Sequence, residues 1–435
     1  LQNAITNLVS FLDNIMVGQL GTEQMSGVAI VNQLIFVYNL AIFGAVSAAS
    51  IFGAQYFGKG NHKGHMYSFR FKLYATLLVT GGAILLFLTK GSALISLYLT
   101  DTVGNGATDL ALQYGLEYLA IMMVGLIPFA VNQSYATNIK ETGQTFIPML
   151  ASFVAVGTNA ILDYLMIFGI GPFPELGVQG AALATVIARY IEALIVVIWA
   201  HIHRGKNRYL EGAYTGFGIP LAELKAILIK GFPLMMNEVL WAAGMTTVTQ
   251  CYSVRGLDVV AGLNIASTIT NLFNIVYLQL GSCISIVVGQ YLGAGKLEDA
   301  KDADNKMIVF SVFCCVIMAA LMFVVGGFFP GIYNTTEEIR ELATSFIAVS
   351  AIIMPFCAFS HASYFTLRSG GKTVVTFLFD SVFTWVIVVP AAYLLAHFTG
   401  LGIVSIYFLV QGTELIKVII GYLMVKSNVW VVQMV

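Results

Sequence analysis

Apolar residues recur along this chain in long runs separated by short polar or glycine-bearing connections. Runs of roughly 20 residues or more are long enough to cross the hydrocarbon of a bilayer as helices. They fall at about 1–20, 28–57, 67–98, 112–138, 146–170, 178–203, 226–253, 259–292, 307–330, 342–367, 374–397 and 401–426. The pattern predicts an all-α integral membrane protein with twelve transmembrane helices. Most connections are short, which makes sequence neighbours pack antiparallel.

The two halves repeat one module. A shift of 235 carries Gly21 onto Gly256, Gly27 onto Gly262 and Ile30 onto Ile265. The same shift carries Gln55, Tyr56, Gly58 and Gly60 onto Gln290, Tyr291, Gly293 and Gly295. A shift of 227 places Pro128-Phe129 on Pro355-Phe356, and 228 places Gly143 on Gly371. The predicted organisation is therefore an N-terminal six-helix lobe (1–203), a polar inter-lobe linker (204–225) and a C-terminal six-helix lobe (226–435). Paired lobes of this kind are a common design for secondary transporters.

Positive charge orients the helices, because lysine and arginine collect on the cytoplasmic side. Lys59, Lys63, Arg70 and Lys72 lie after the second span, and Lys140 after the fourth. Arg204, Lys206, Arg208, Lys225 and Lys230 fall between the sixth and seventh. Lys296, Lys301, Lys306, Arg368, Lys372 and Lys426 continue the series, while the alternate connections hold little beyond Lys90, Arg255 and Arg340. Both termini and the linker are expected to be cytoplasmic, in a multi-pass protein of the cell (plasma or inner) membrane. An even number of helices per half makes the two repeats parallel, related by an axis along the membrane normal.

Composition agrees: 58% of residues are hydrophobic, 10% charged, and the mean hydropathy is +0.85. Those values lie far from a soluble domain. The net charge of −1 says little about partners, since the charge is sorted by membrane side; nucleic acid is not expected. Cys251, Cys283, Cys314, Cys315 and Cys357 lie in helical runs without metal-ligand spacing and read as small core residues. His62 and His65 form an H-x-x-H that reads as part of the solvated basic loop. No phosphate-binding loop pattern is present, so an ion gradient is the expected energy source.

Ionisable residues inside a span are costly and each needs an account. Asp13 lies in the middle of the first span, and Asn159 and Asp163 in the fifth are four apart, on one helix face. Thr185 in the sixth adds a hydroxyl within a run of small residues. Four oxygen-bearing side chains on three helices suit a hard monovalent cation or a shared proton; the alternative is a hydrogen-bonded structural cluster. Glu238 in the seventh span reads as facing a cavity, and Asp380 in the eleventh is open to a transport role or to pairing with the nearby basic loop at Arg368 and Lys372. His361 in the tenth reads as a hydrogen-bonding residue. Arg189/Glu192 and Glu414/Lys417 are i,i+3 pairs, superposed with signs exchanged by a shift of 225, and read as structural glue within or between lobes.

The stretches F-L-D-N-I-M-V-G-Q-L-G (11–21), V-A-I-V-N-Q (28–33) and G-A-Q-Y-F-G-K-G (53–60) resemble the opening of the multidrug and toxic compound extrusion (MATE) family. T-N-A-I-L-D-Y (158–164), G-V-Q-G-A-A-L-A-T (177–185), L-R-S-G-G-K-T (367–373) and D-S-V-F-T-W (380–385) are similar to its later signatures. The resemblance implies a two-lobed antiporter that exports organic compounds in exchange for Na+ or H+. It maps Asp13, Asn159, Asp163 and Thr185 onto the family's cation site and Glu238 onto the acid of the seventh helix. Cys357 stands where some members carry a second carboxylate in the tenth helix.

The expected activity is secondary antiport of amphipathic, often cationic, small organic molecules by a monomer in membrane lipid, without catalysis or a cofactor beyond the coupling ion. One rival is a flippase for lipid-linked oligosaccharides or polyprenyl pyrophosphates, which would call for several basic residues in the cavity; only Arg189 and Lys417 lie deep. A passive channel is the other rival. It would more naturally carry a repeated polar stripe than an acidic cluster in one lobe.

Overall fold

The computed structural model describes residues 16–17, 19–97, 105–216, 218–333 and 335–435, and among them every regular element is helical. The first predicted span lies almost wholly outside the described residues, and Asp13 with it. The helices that follow are α1 (Thr22–Lys59), α2 (His62–Ser96), α3 (Asn105–Val124), α4 (Leu126–Glu141), α5 (Phe146–Ile167) and α6 (Val178–Ile202). The second half contributes α7 (Leu221–Ser253), α8 (Leu257–Gly293), α9 (Leu297–Gly326), α10 (Glu337–Ser369), α11 (Thr373–Phe398) and α12 (Ile403–Lys426). Ten helices are long and apolar enough to cross a membrane, and α3 with α4, bent by 44°, makes an eleventh among the described residues. The single predicted span 112–138 is thus two helices broken at Gly125, three residues before Pro128. The proline ring cannot accommodate a straight preceding turn.

Several helices outrun their apolar runs. α2 starts at His62 rather than 67, and α9 at Leu297 rather than 307. No proline separates the polar first turns from the apolar run, so the helix continues beyond it. The outer faces carry large exposed apolar side chains, among them Leu78, Leu85 and Leu88 on α2 and Val309, Phe313 and Val316 on α9. Water would not tolerate so much apolar surface; lipid does.

The chain divides into two compact units, residues 1–53 with 62–224, and 54–61 with 225–435. The first has its core around Val31, Ile42, Leu119, Leu126 and Ala182. In the second the core surrounds Phe273, Met322, Phe346, Met354 and Ile406. The last turns of α1 belong to the second unit.

The residues repeated at a shift of 235 acquire a physical reason here. Within the second unit the ends of α1 and α8 cross backbone to backbone. A Cβ on Gly58 would overlap the Gln290 carbonyl, and a Cβ on Gly293 would overlap that of Gln55. Two residues on, Gly60 and Gly295 take φ of 75° and 73°. Each closes its helix with matched bonds, Asn61 N to Tyr56 O at 2.9 Å and Lys296 N to Tyr291 O at 3.0 Å. Only glycine fits both demands without strain. Arg255 and Arg340, which depart from the charge pattern, are spent on carbonyls: Arg255 donates to Leu395, Ala396 and Thr399 at the end of α11, and Arg340 to Tyr333.

Candidate functional site

In the first unit, small residues bring α6 onto α5. Ala181, Ala182 and Ala184 are buried, and a Cβ on Gly180 would stand 2.6 Å from the Met166 carbonyl. That close approach lets Asn159 on α5 donate to the Thr185 hydroxyl on α6 at 3.4 Å. Asp163, one turn along the same face of α5, is wholly buried, and Asn159 nearly so. Three of the four side chains read from the sequence as a cation site therefore lie on two packed helices, and the fourth, Asp13, lies outside the described residues. Amide, hydroxyl and carboxylate oxygens of this kind can coordinate a hard monovalent cation or carry a proton.

A second polar cluster of this unit was not foreseen. Lys72 Nζ donates to Glu141 Oε1 at 2.5 Å and to Asn138 Oδ1 at 3.3 Å, while His65 Nε2 lies 3.2 Å from Glu141 Oε2. Both charged partners are completely buried. Gly53 makes room, since a Cβ there would overlap the Glu141 carboxylate. Arg70 is tied down as well, donating to Gly212, Ala213 and Gly218 of the chain after α6 at 2.6, 2.9 and 2.7 Å. His65, read as part of a solvated loop, is thus buried on α2, as are Arg70 and Lys72. One signal pointed to Glu141: a carboxylate in the last turn of a helix opposes the helix dipole and needs a cation. The clasped segment also buries Tyr209, and burial pushes its phenol well above its ordinary pKa, so it is a neutral anchor.

In the second unit the intramembrane charges converge. Lys417 on α12 donates to Asp380 Oδ1 on α11 at 2.7 Å, and Asn237 on α7 donates to Asp380 Oδ2 at 3.0 Å. Asn237 is itself held by Ser381, whose backbone N–H and hydroxyl both reach its side-chain oxygen, at 3.2 and 2.7 Å. α11 docks further on α7 through Trp385 Nε1 to the Leu240 carbonyl at 2.8 Å. It is locally rewound into π-helical turns at Leu378–Val382 and Thr384–Val388. Such turns are rare and cluster at functional sites. Glu238, next to Asn237, is partly buried. His361 donates from Nδ1 to the Cys357 carbonyl at 3.0 Å and packs on Tyr277, ring centres 4.6 Å apart.

Three sets of charged side chains find their partners outside their own helix. Asp380 pairs with Lys417, not with the basic loop. Lys417 bridges to Asp380 rather than to Glu414 one turn away. Arg189 and Glu192 also look elsewhere: the guanidinium lies 5.1 Å over the Phe129 ring and donates to Gly125 O, and Glu192 accepts from Ser152. In each case the partner lies on a neighbouring helix, so the charge serves as structural glue within its own unit. Among the described residues no group of His, Cys, Asp and Glu has the arrangement of a transition-metal site.

A model of the MatE family matches residues 1–165 and 233–394. The chain is 23% identical over 406 residues to the probable multidrug resistance protein NorM of Thermotoga maritima, covering 93% of this chain and 85% of that one. It is 24% identical over 396 residues to the protein of the same name from Halalkalibacterium halodurans, covering 91% and 84%. Among solved structures it is similar to the outward-facing conformation of a multidrug resistance MATE family transporter of the MOP superfamily, with a TM-score of 0.88, 19% identity, and coverage of 98% and 92%. It is similar also to a MOP superfamily transporter from Pyrococcus furiosus, with a TM-score of 0.87, 19% identity, and coverage of 98% and 92%. These likenesses establish a shared fold.

Proposed function

The chain belongs to the MatE family of multidrug and toxic compound extrusion transporters, and from that premise we propose that it is a secondary antiporter exporting amphipathic, often cationic, organic compounds in exchange for Na+ or H+. The observation that carries the reading is wholly buried Asp163, one turn from the Asn159–Thr185 contact. A buried carboxylate near an amide and a hydroxyl offers the oxygen donors that a hard monovalent cation or a shared proton needs. Asp13, Asn159, Asp163 and Thr185 are the proposed coupling site, without another cofactor. Glu238, Asp380 and His361 are the proposed polar contacts for substrate in the second lobe.

Coupling requires the ion to favour one access state over the other, since a ligand that binds both equally shifts nothing. An inward-moving cation also draws on the membrane potential, roughly 2.3 kcal/mol per charge per 100 mV. Export rather than lipid-pyrophosphate flipping is supported by the deep basic groups, because Arg189 is committed to Phe129 and Gly125, and Lys417 to Asp380. The protein works as a monomer in the plasma or inner membrane, with the 204–225 linker and both termini cytoplasmic. Purified protein in liposomes should move ethidium uphill when a Na+ or H+ gradient is imposed. Movement only down the dye's own gradient would overturn the antiport reading.

A further inference from the structure

Lys417 is placed as a ligand would be. Its ammonium is 2.7 Å from Asp380 Oδ1 and lies over two aromatic rings, 5.5 Å from the centre of Phe379 and 5.8 Å from that of Phe383. Carboxylate on one side and ring faces on the others is the environment that captures organic cations, through charge and the ring quadrupole together. The far oxygen of Asp380 is fixed by Asn237, and Asn237 by Ser381, so the receptor half of the arrangement is rigid whether or not Lys417 is present. Glu414, one turn from Lys417, has its Oε1 buried without a hydrogen-bond partner among the described residues. The pair is not sealed, because the Asp380 side chain remains 16% exposed.

We propose that Lys417 is a tethered pseudo-substrate: its ammonium occupies a cation cage formed by Asp380, Phe379 and Phe383, and an exported organic cation displaces it. This rests on the export reading above and adds the residue that sets affinity and selectivity. To enter this cage a substrate must offer a positive charge that competes with an intramolecular one, so cations are favoured over neutral amphiphiles of similar shape and weakly bound cations are rejected. Displacement swings the lysine stem aside while Asp380 stays in place.

The test uses the full chain in detergent and benzyltrimethylammonium as probe, with its uncharged carbon analogue neopentylbenzene as control. Lys417→Gln should bind the cation at least ~10-fold tighter than wild type, because an empty cage replaces a competitor. Asp380→Asn added to Lys417→Gln should abolish that gain. Unchanged or weaker binding by a folded Lys417→Gln protein would overturn the proposal. A second measurement needs no variant. Reductive methylation of Lys417 in the wild-type protein, read by mass spectrometry, should rise several-fold with the cation and stay constant with neopentylbenzene. No rise with the cation would equally overturn the proposal, and this arm decides if Lys417→Gln fails to fold. The two readings fail separately. Absence of gradient-driven efflux from liposomes removes the export function, whereas normal efflux without the affinity gain removes only the pseudo-substrate.

Discussion

The buried Lys72–Glu141 pair offers the sharpest stability prediction. Lys72→Met keeps most of the stem and its packing but deletes the ammonium, leaving a carboxylate in a site where neither partner has any exposed surface. Breaking a buried pair from one side costs about 3–5 kcal/mol, because the desolvation of the surviving charge is no longer offset. His65 Nε2 at 3.2 Å remains as a hydrogen-bond partner for Glu141 and recovers a part of that, so the net loss should be about 2–4 kcal/mol. Equilibrium unfolding in mixed micelles, titrated with SDS and followed by tryptophan fluorescence with Trp199 reporting on the first unit, measures it. Adding Glu141→Gln to Lys72→Met removes the stranded charge. The double variant should return to within about 1 kcal/mol of wild type. The reasoning is refuted if Lys72→Met unfolds with the wild-type protein, or if the double variant is no more stable than Lys72→Met alone.

Three further outcomes are expected. Gly58→Ala and Gly293→Ala should each destabilise the crossing of α1 and α8 by about 1–3 kcal/mol through overpacking, whereas Gly81→Ala, where a Cβ meets nothing within 4 Å, should be neutral in the same unfolding assay. Single cysteines in the 204–225 linker should be protected from an impermeant maleimide in intact cells, while cysteines in the 331–341 loop should react; the reverse pattern would invert the topology. Cationic dyes such as ethidium should leave liposomes at least about tenfold faster than anionic analogues of similar size, since close charge pairs in a wet cavity are worth on the order of a few kcal/mol, and equal rates would favour the flippase.

How much of this was legible in the sequence depended on the range of the interaction. The spans were, because an apolar run such as 307–330, most of it on α9, needs only its own composition to demand lipid. Glycines repeated at a fixed shift announced a constraint, though not its nature: the backbone crossing at Gly58 and Gly293 requires a partner helix far away in sequence. The i,i+4 spacing of Asn159 and Asp163 put them on one face, and Gly180 with its alanines delivered Thr185 to it. Ion-pair partners were not legible where they lie on another helix. Glu414 sits one turn from Lys417, yet Asp380 takes the ammonium, and Lys72 finds Glu141 on another helix. Helix lengths were underestimated because polar first turns, as in residues 62–72 of α2, stay helical until a breaker such as Gly60 intervenes.

The most direct test of the proposed coupling site is gradient-driven efflux by Asp163→Asn in liposomes. The substitution keeps shape and hydrogen-bonding capacity but removes the charge and the titratable proton. Uphill ethidium efflux should be lost while SDS-unfolding stability stays near wild type, and repeating the wild-type assay with a Na+ gradient at fixed pH, then a pH gradient without Na+, identifies the ion. Efflux by Asp163→Asn at the wild-type rate would contradict the coupling role. The cluster on α5 and α6 would then be structural, and Glu238 would become the leading carboxylate for coupling.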